Sequence, residues 1–212
     1  MRKAAIDTLD SKKWVKGDKV EQFGLQFAKH CGALSAAPCQ NGSSSLWAAL
    51  RLLGVGEGDE VIVPSFTFIA SATAIPLVGA TPIFVDIEPE YWCLDIDAVE
   101  SAITSKTKAV IGVHLFGQPY NPKLIELCKS KNIFLIEDAA QAHGAIQEIS
   151  EERYLTAGTM GDIGCFSFFP SKNMAVGGEG GMLTTTNADL ADKIKAITNH
   201  GRAPNLESMQ LG

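Results

Sequence analysis

Six short apolar runs, most of them rich in β-branched residues, punctuate the chain: Glu60–Pro64, Thr81–Asp86, Ala109–His114, Ile133–Glu137, Ile163–Phe168 and Gly181–Thr185. Between several of them lie longer stretches with helical spacing, Asp97–Ile103, Asn121–Lys131 and Asn187–Asn199. In the last, Leu190, Ile194 and Ile197 recur at i, i+4 and i+7, a single apolar stripe. Runs such as AVIGVHLF and IFLIED are apolar on both alternating faces, so each strand must be covered from both sides. The expected architecture is an α/β domain of three layers, with a mostly parallel sheet between two layers of helices. A first helix is expected over Lys19–Cys31, with Asp18 as its N-cap and Gly32 as its stop. A second should begin just after Gly42, where Ser43–Ser45 precede LWAALRLL, and the polar Gln147–Arg153 reads as a surface excursion.

The formal charge of −6 spreads over both halves of the 212 residues without a basic block. That leaves no electrostatic footprint for nucleic acid or an anionic membrane surface, so small metabolites are the expected partners. No apolar run approaches the roughly 18–20 residues that span a bilayer, and MRKAAIDTLDSKKW lacks the apolar centre of a signal peptide. The five cysteines are odd in number, widely spaced and without a CxxC pair. Neither a disulfide framework nor a metal site is expected, and a reducing cytoplasm fits.

Three segments carry chemistry. Glu137 and Asp138 close an apolar strand at the edge where α/β sheets hold their ligands. An unpaired buried carboxylate is costly, so each acid is a helix N-cap, a surface acid or the partner of a cationic ring nitrogen. Lys172 follows a strand, Pro170 and Ser171 and precedes the glycine-rich 177–181; it is either an ordinary loop lysine or an amine desolvated enough to act as a Schiff-base nucleophile. Asn41-Gly42-Ser43-Ser44-Ser45 opens a helix, as a plain N-cap cluster or as a phosphate cradle of free amides and hydroxyls. Together they make a lysine, an acid and an anion site, the parts that pyridoxal phosphate (PLP) requires.

The ordered segments GDEVIVPSFTF, GATPIFVDIEP, TKAVIGVHLFGQP, IEDAAQAHGA, GDIGCFSFFPSKN, GGEGGMLTTTN and NHGR resemble the DegT/DnrJ/StrS family of PLP-dependent sugar aminotransferases, of the fold-type I group. The resemblance covers about Val20–Arg202. It implies that Lys172 carries PLP as a Schiff base and moves the proton, that Asp138 pairs with the pyridine nitrogen, and that Gln141 lies near the phenolic oxygen. It further implies Phe68 stacked on the ring, and Gly42, Ser43, Ser44 and Ser167 around the phosphate. The implied reaction moves an amino group from glutamate or glutamine to a nucleotide-linked keto sugar, in a homodimer. Members are usually longer, so the resemblance implies an N-terminal segment 1–17, cut short, then the PLP-binding domain 18–212, without the smaller C-terminal domain. The alternatives are a sugar dehydratase of the same fold, in which histidine replaces the lysine, and a non-catalytic or regulatory fragment. A nicotinamide-dependent oxidoreductase is disfavoured, because Gly54-Val55-Gly56-Glu57-Gly58 precedes a strand instead of following one. His114 and His143 read as packed histidines or supports of the site, Glu179 as shaping the loop near the site or capping a turn, and Trp14, Trp47 and Trp92 as core or interface residues.

Overall fold

The computed structural model describes residues Arg2–Arg202; the expected end of the domain at Gly212 lies outside the described residues. In chain order the elements are α1 (Arg2–Asp10), α2 (Asp18–Cys31), β1 (Ser35–Cys39), α3 (Gly42–Leu52), β2 (Glu60–Pro64), α4 (Ile69–Thr73), β3 (Thr81–Val85), α5 (Ile96–Ala102), β4 (Thr107–Val113), α6 (Lys123–Lys131), β5 (Phe134–Asp138), β6 (Ile146–Ser150), β7 (Arg153–Thr156), β8 (Ile163–Ser167), β9 (Gly181–Thr185) and α7 (Ala188–Ile197). Seven strands form one sheet in the order β1-β9-β8-β5-β4-β2-β3, while β6 and β7 make a separate hairpin. Strands β8, β5, β4, β2 and β3 pair in parallel, and β9 runs against both of its neighbours.

Each face of the sheet has its own core. Leu46 and Leu50 of α3, Ala70 of α4 and Ile194 of α7 pack with Val61, Ile111, Ile136 and Ile163 on one side. On the other, Phe27 of α2, Val99 of α5 and Leu124 of α6 pack with Ile62, Val110, Leu135 and Phe166. Successive strand residues thus alternate between two buried faces, which is why these runs are apolar throughout. Both layers of the expected sandwich are present.

Two local expectations need correction or completion, one holds, and one strand is new. Asp18 is the first helical residue of α2 and not its cap; Gly17 holds that position without a side-chain bond, and the Asp18 carboxylate pairs with Lys13 Nζ at 3.0 Å. Gly32 does stop the helix, in the left-handed region at φ 75°. The polar 147–153 stretch lies in the β6–β7 hairpin. Strand β1, SAAPC, was not expected at all. Its small residues and Pro38 hide it, yet an edge strand that pairs only with β9 tolerates both.

The last two residues of β5 settle the sheet's polar end. Leu135 and Ile136 pack into opposite cores, so Glu137 and Asp138 also point to opposite faces. Glu137 is fully buried. Its Oε1 accepts from the amides of Met160 and Gly161, both at 2.8 Å, and its Oε2 accepts from Gly158 at 2.7 Å. His114 Nε2 meets Oε2 at 2.9 Å, while His114 Nδ1 accepts from the Tyr120 amide at 3.3 Å. Those partners assign the ring proton to Nε2 and make Glu137 a structural acid.

Glu137→Ala would strand three buried amides and an imidazole, an expected loss of about 3–5 kcal/mol. Urea unfolding should show it as a lowered midpoint at unchanged slope; a cost below about 1 kcal/mol would contradict this reading.

Candidate active site

Strands β2, β4, β5 and β8 deliver their C-terminal ends to one edge of the sheet, where ligands bind in open α/β folds. A cavity of about 520 Å³ opens there. Of the eight residues singled out in the sequence, Gly42, Ser43, Phe68, Asp138, Gln141, Ser167 and Lys172 line it, and Ser44 does not.

One wall is the start of α3. Asn41 caps this helix, its Oδ1 accepting from the Ser44 amide at 2.8 Å, and the Ser45 amide reaches the Asn41 carbonyl at 3.1 Å. Among the described residues, the amides of Gly42 and Ser43 meet no acceptor. They are the unsatisfied donors of a helix N-terminus, and the dipole adds positive potential there. Capping consumes the amide of Ser44, which explains its absence from the wall. Glycine is required at 42 because a Cβ there would lie 2.8 Å from Ser167 Cβ. Helix α3 and the end of β8 therefore touch, and Ser167 stands beside the free amides. Ser167 Oγ accepts from the Phe169 amide at 3.3 Å, which leaves its proton to donate.

Another part of the wall holds the acid. Asp138 is buried, with Oδ1 accepting from the Ala140 amide at 3.1 Å and Oδ2 from Ser71 Oγ at 2.7 Å. Thr67, another residue of the cavity wall, lies 3.0 Å from Ser71 Oγ. The sequence reading missed both hydroxyls; the only available signal was their spacing of four around the start of a helix. Phe68, between them, leaves 68% of its surface exposed, so its ring is free to cover a ligand. Gln141 Oε1 accepts from the Phe116 amide at 2.8 Å, which commits the amide oxygen and turns the NH₂ group into the available donor.

Lys172 follows β8 in a turn closed by its own amide donating to the Phe169 carbonyl at 2.8 Å. Its neighbour Asn173 bonds His143 twice: Oδ1 to Nδ1 at 2.6 Å, and Nδ2 to the His143 carbonyl at 3.3 Å. Burial pushes the His143 imidazole below its ordinary pKa, against the opposing Asn173 bond. Its ring packs 5.3 Å from both Phe166 and Phe168. The pair fastens the lysine turn to the segment that carries Asp138 and Gln141. Glu179 also lines the cavity. His114 lines it too, but its ring is bonded to Glu137, and Gly54–Gly58 forms the turn between α3 and β2, as the sequence order required.

All five cysteines are free, no described group of side chains could hold a metal ion, and no described helix is long and apolar enough to cross a membrane.

Known proteins are similar to this chain in sequence and in fold. The chain is 44% identical over 194 residues to UDP-N-acetyl-3-dehydro-alpha-D-glucosamine 3-aminotransferase of Acidithiobacillus ferrooxidans, a match covering 91% of this chain and 51% of that protein. Among solved structures, Bacillus subtilis NtdA with bound cofactor PMP superposes with a TM-score of 0.86 at 30% identity, covering 95% of this chain and 45% of that one. Escherichia coli GDP-4-keto-6-deoxy-D-mannose-3-dehydratase with bound hydrated PLP gives 0.84 at 30%, covering 97% and 53%. The chain spans about half the length of the curated relatives it matches. The model of one family matches residues 1–212 in full, and the chain belongs to the DegT/DnrJ/EryC1/StrS aminotransferase family.

Proposed function

We propose that this chain is the cofactor-binding part of a PLP-dependent aminotransferase that moves an amino group from glutamate or glutamine to a nucleotide-linked keto sugar. The observation that carries this reading is the convergence of Lys172, Asp138, Gln141, Phe68 and the two free amides at the start of α3 on one cavity. The residues fit the cofactor. The free amides of Gly42 and Ser43 and the hydroxyl of Ser167 suit a phosphate, and the exposed ring of Phe68 suits the flat face of a pyridine. Ser44, its amide taken by Asn41, has only a hydroxyl to offer the phosphate. The cavity volume falls within the range of about 300–1,000 Å³ typical for ligands of this size. The names of the relatives above support the sugar and the amino transfer, and the remaining lysine speaks against the dehydratase.

Bound PLP supplies an electron sink for charge developing on the substrate carbon. Lys172 Nζ would be the amine that holds the cofactor and, when free, the base that moves a proton. Asp138 would keep the ring nitrogen protonated, Gln141 Nε2 would donate to the phenolic oxygen, and Phe68 would exclude water from one face. Residues 18–212 form the cofactor-binding domain and 1–17 a separate N-terminal segment. The exposed aromatic side chains beside the cavity, with Phe66 5.5 Å from Trp92 and Trp92 6.3 Å from Phe116, suit burial against a second copy in a homodimer. A cytoplasmic location matches five unpaired thiols.

Lys172→Ala should abolish formation of 2-oxoglutarate from glutamate with a panel of nucleotide-linked keto sugars, and the circular dichroism spectrum should not change. Full activity in that variant would sink the assignment. Asp138→Asn removes the charge that holds the ring proton, and turnover should fall on the order of 10²-fold; near-normal turnover would give that role to another group.

A further inference from the structure

The hydroxyls of Ser71 and Thr67 belong to no role given so far, and their geometry fixes a direction. An ionised carboxylate only accepts hydrogen bonds. Ser71, fully buried on α4, must therefore give its one proton to Asp138 Oδ2, 2.7 Å away. Its oxygen is then the acceptor for Thr67, 3.0 Å away. Thr67 is left with lone pairs alone at the cavity wall. With Oδ2 engaged from behind and Oδ1 held by the Ala140 amide, the Asp138 carboxylate has no freedom to rotate about its last torsion. The same chain of hydroxyls ties α4, which starts directly after Phe68, to the end of β5.

We propose that Ser71 and Thr67 are positioning residues for the cofactor's ring nitrogen. They lock the Asp138 carboxylate in the orientation that accepts from a ring N–H, and they set its distance from the ring covered by Phe68. The proposal rests on the PLP reading above. A hydrogen bond to a charged group in a site without water carries more weight than one at the surface, so its loss should be felt at the one ring atom that Asp138 contacts.

The test compares two ligands on the 212-residue chain: PLP, and 1-deaza-PLP, in which the ring nitrogen is replaced by C–H. Dissociation constants come from quenching of tryptophan fluorescence, and the thermal transition of each variant without ligand is measured alongside. The native chain should prefer PLP. Ser71→Ala should weaken PLP about tenfold and leave 1-deaza-PLP unchanged, so that the preference collapses. Thr67→Val should act in the same direction with a smaller effect, and Ser71→Thr should restore the native preference. If Ser71→Ala does not fold, Thr67→Val carries the test. A Ser71→Ala variant that weakens both ligands equally, or whose preference for PLP stays or grows, overturns the positioning role and leaves the PLP reading standing. A native chain that binds neither ligand overturns that reading, and the relay with it.

Discussion

Everything polar at the working edge of this sheet depends on how one carboxylate is satisfied. Glu137 is wholly buried, and it accepts from three backbone amides of the 158–161 turn and from His114. A buried charge with fewer partners would cost several kcal/mol. With this set, the cost is offset, and the turn that leads into β8 is fixed against the end of β5. His114 in turn is stacked on Tyr120 at 4.4 Å and takes the Tyr120 amide, so β4 and the segment behind it join the same cluster. The acid ties the C-terminal ends of β4 and β5 to the turn that enters β8.

Asp138, the next residue of β5, faces the cavity. Strand alternation turns it away from Glu137, toward the side of the sheet covered by α3 and α4. There α4 supplies Ser71, and α3 brings the amides of its first turn to within van der Waals reach of Ser167 across Gly42. Asp138, the start of α3 and Lys172 thus line one opening, and the lysine turn is pinned through Asn173 and His143.

Much of this was legible in the sequence. Strands β2 and β9 occupy the runs expected of them, Glu60–Pro64 and Gly181–Thr185, because both are bounded by turns and buried on both sides. The three-layer class followed from the same two-faced apolarity. Strand β1 escaped because Ser35–Cys39 holds small residues and a proline, which only its position at the sheet edge excuses. Asp18 looked like a cap because local chemistry suits it, but Gly17 takes the place and Asp18 pairs with Lys13. The two acids of β5 could not be told apart by residue type; only the resemblance singled out Asp138, and only the fold shows the opposite duties. Ser71 and Thr67 were invisible because their meaning comes from Asp138, 67 positions away from Ser71. Ser44 illustrates the reverse: a hydroxyl in the right motif, one helical position too far from the cavity to form its wall.

The central claim is that Lys172 is the amine that binds PLP. The most direct measurement is to incubate the chain with PLP, reduce with borohydride, digest, and locate the added pyridoxyl mass by peptide sequencing in a mass spectrometer. The account predicts one modified peptide, carrying the label on Lys172 between Ser171 and Asn173. Label scattered over surface lysines with Lys172 unmodified would contradict it.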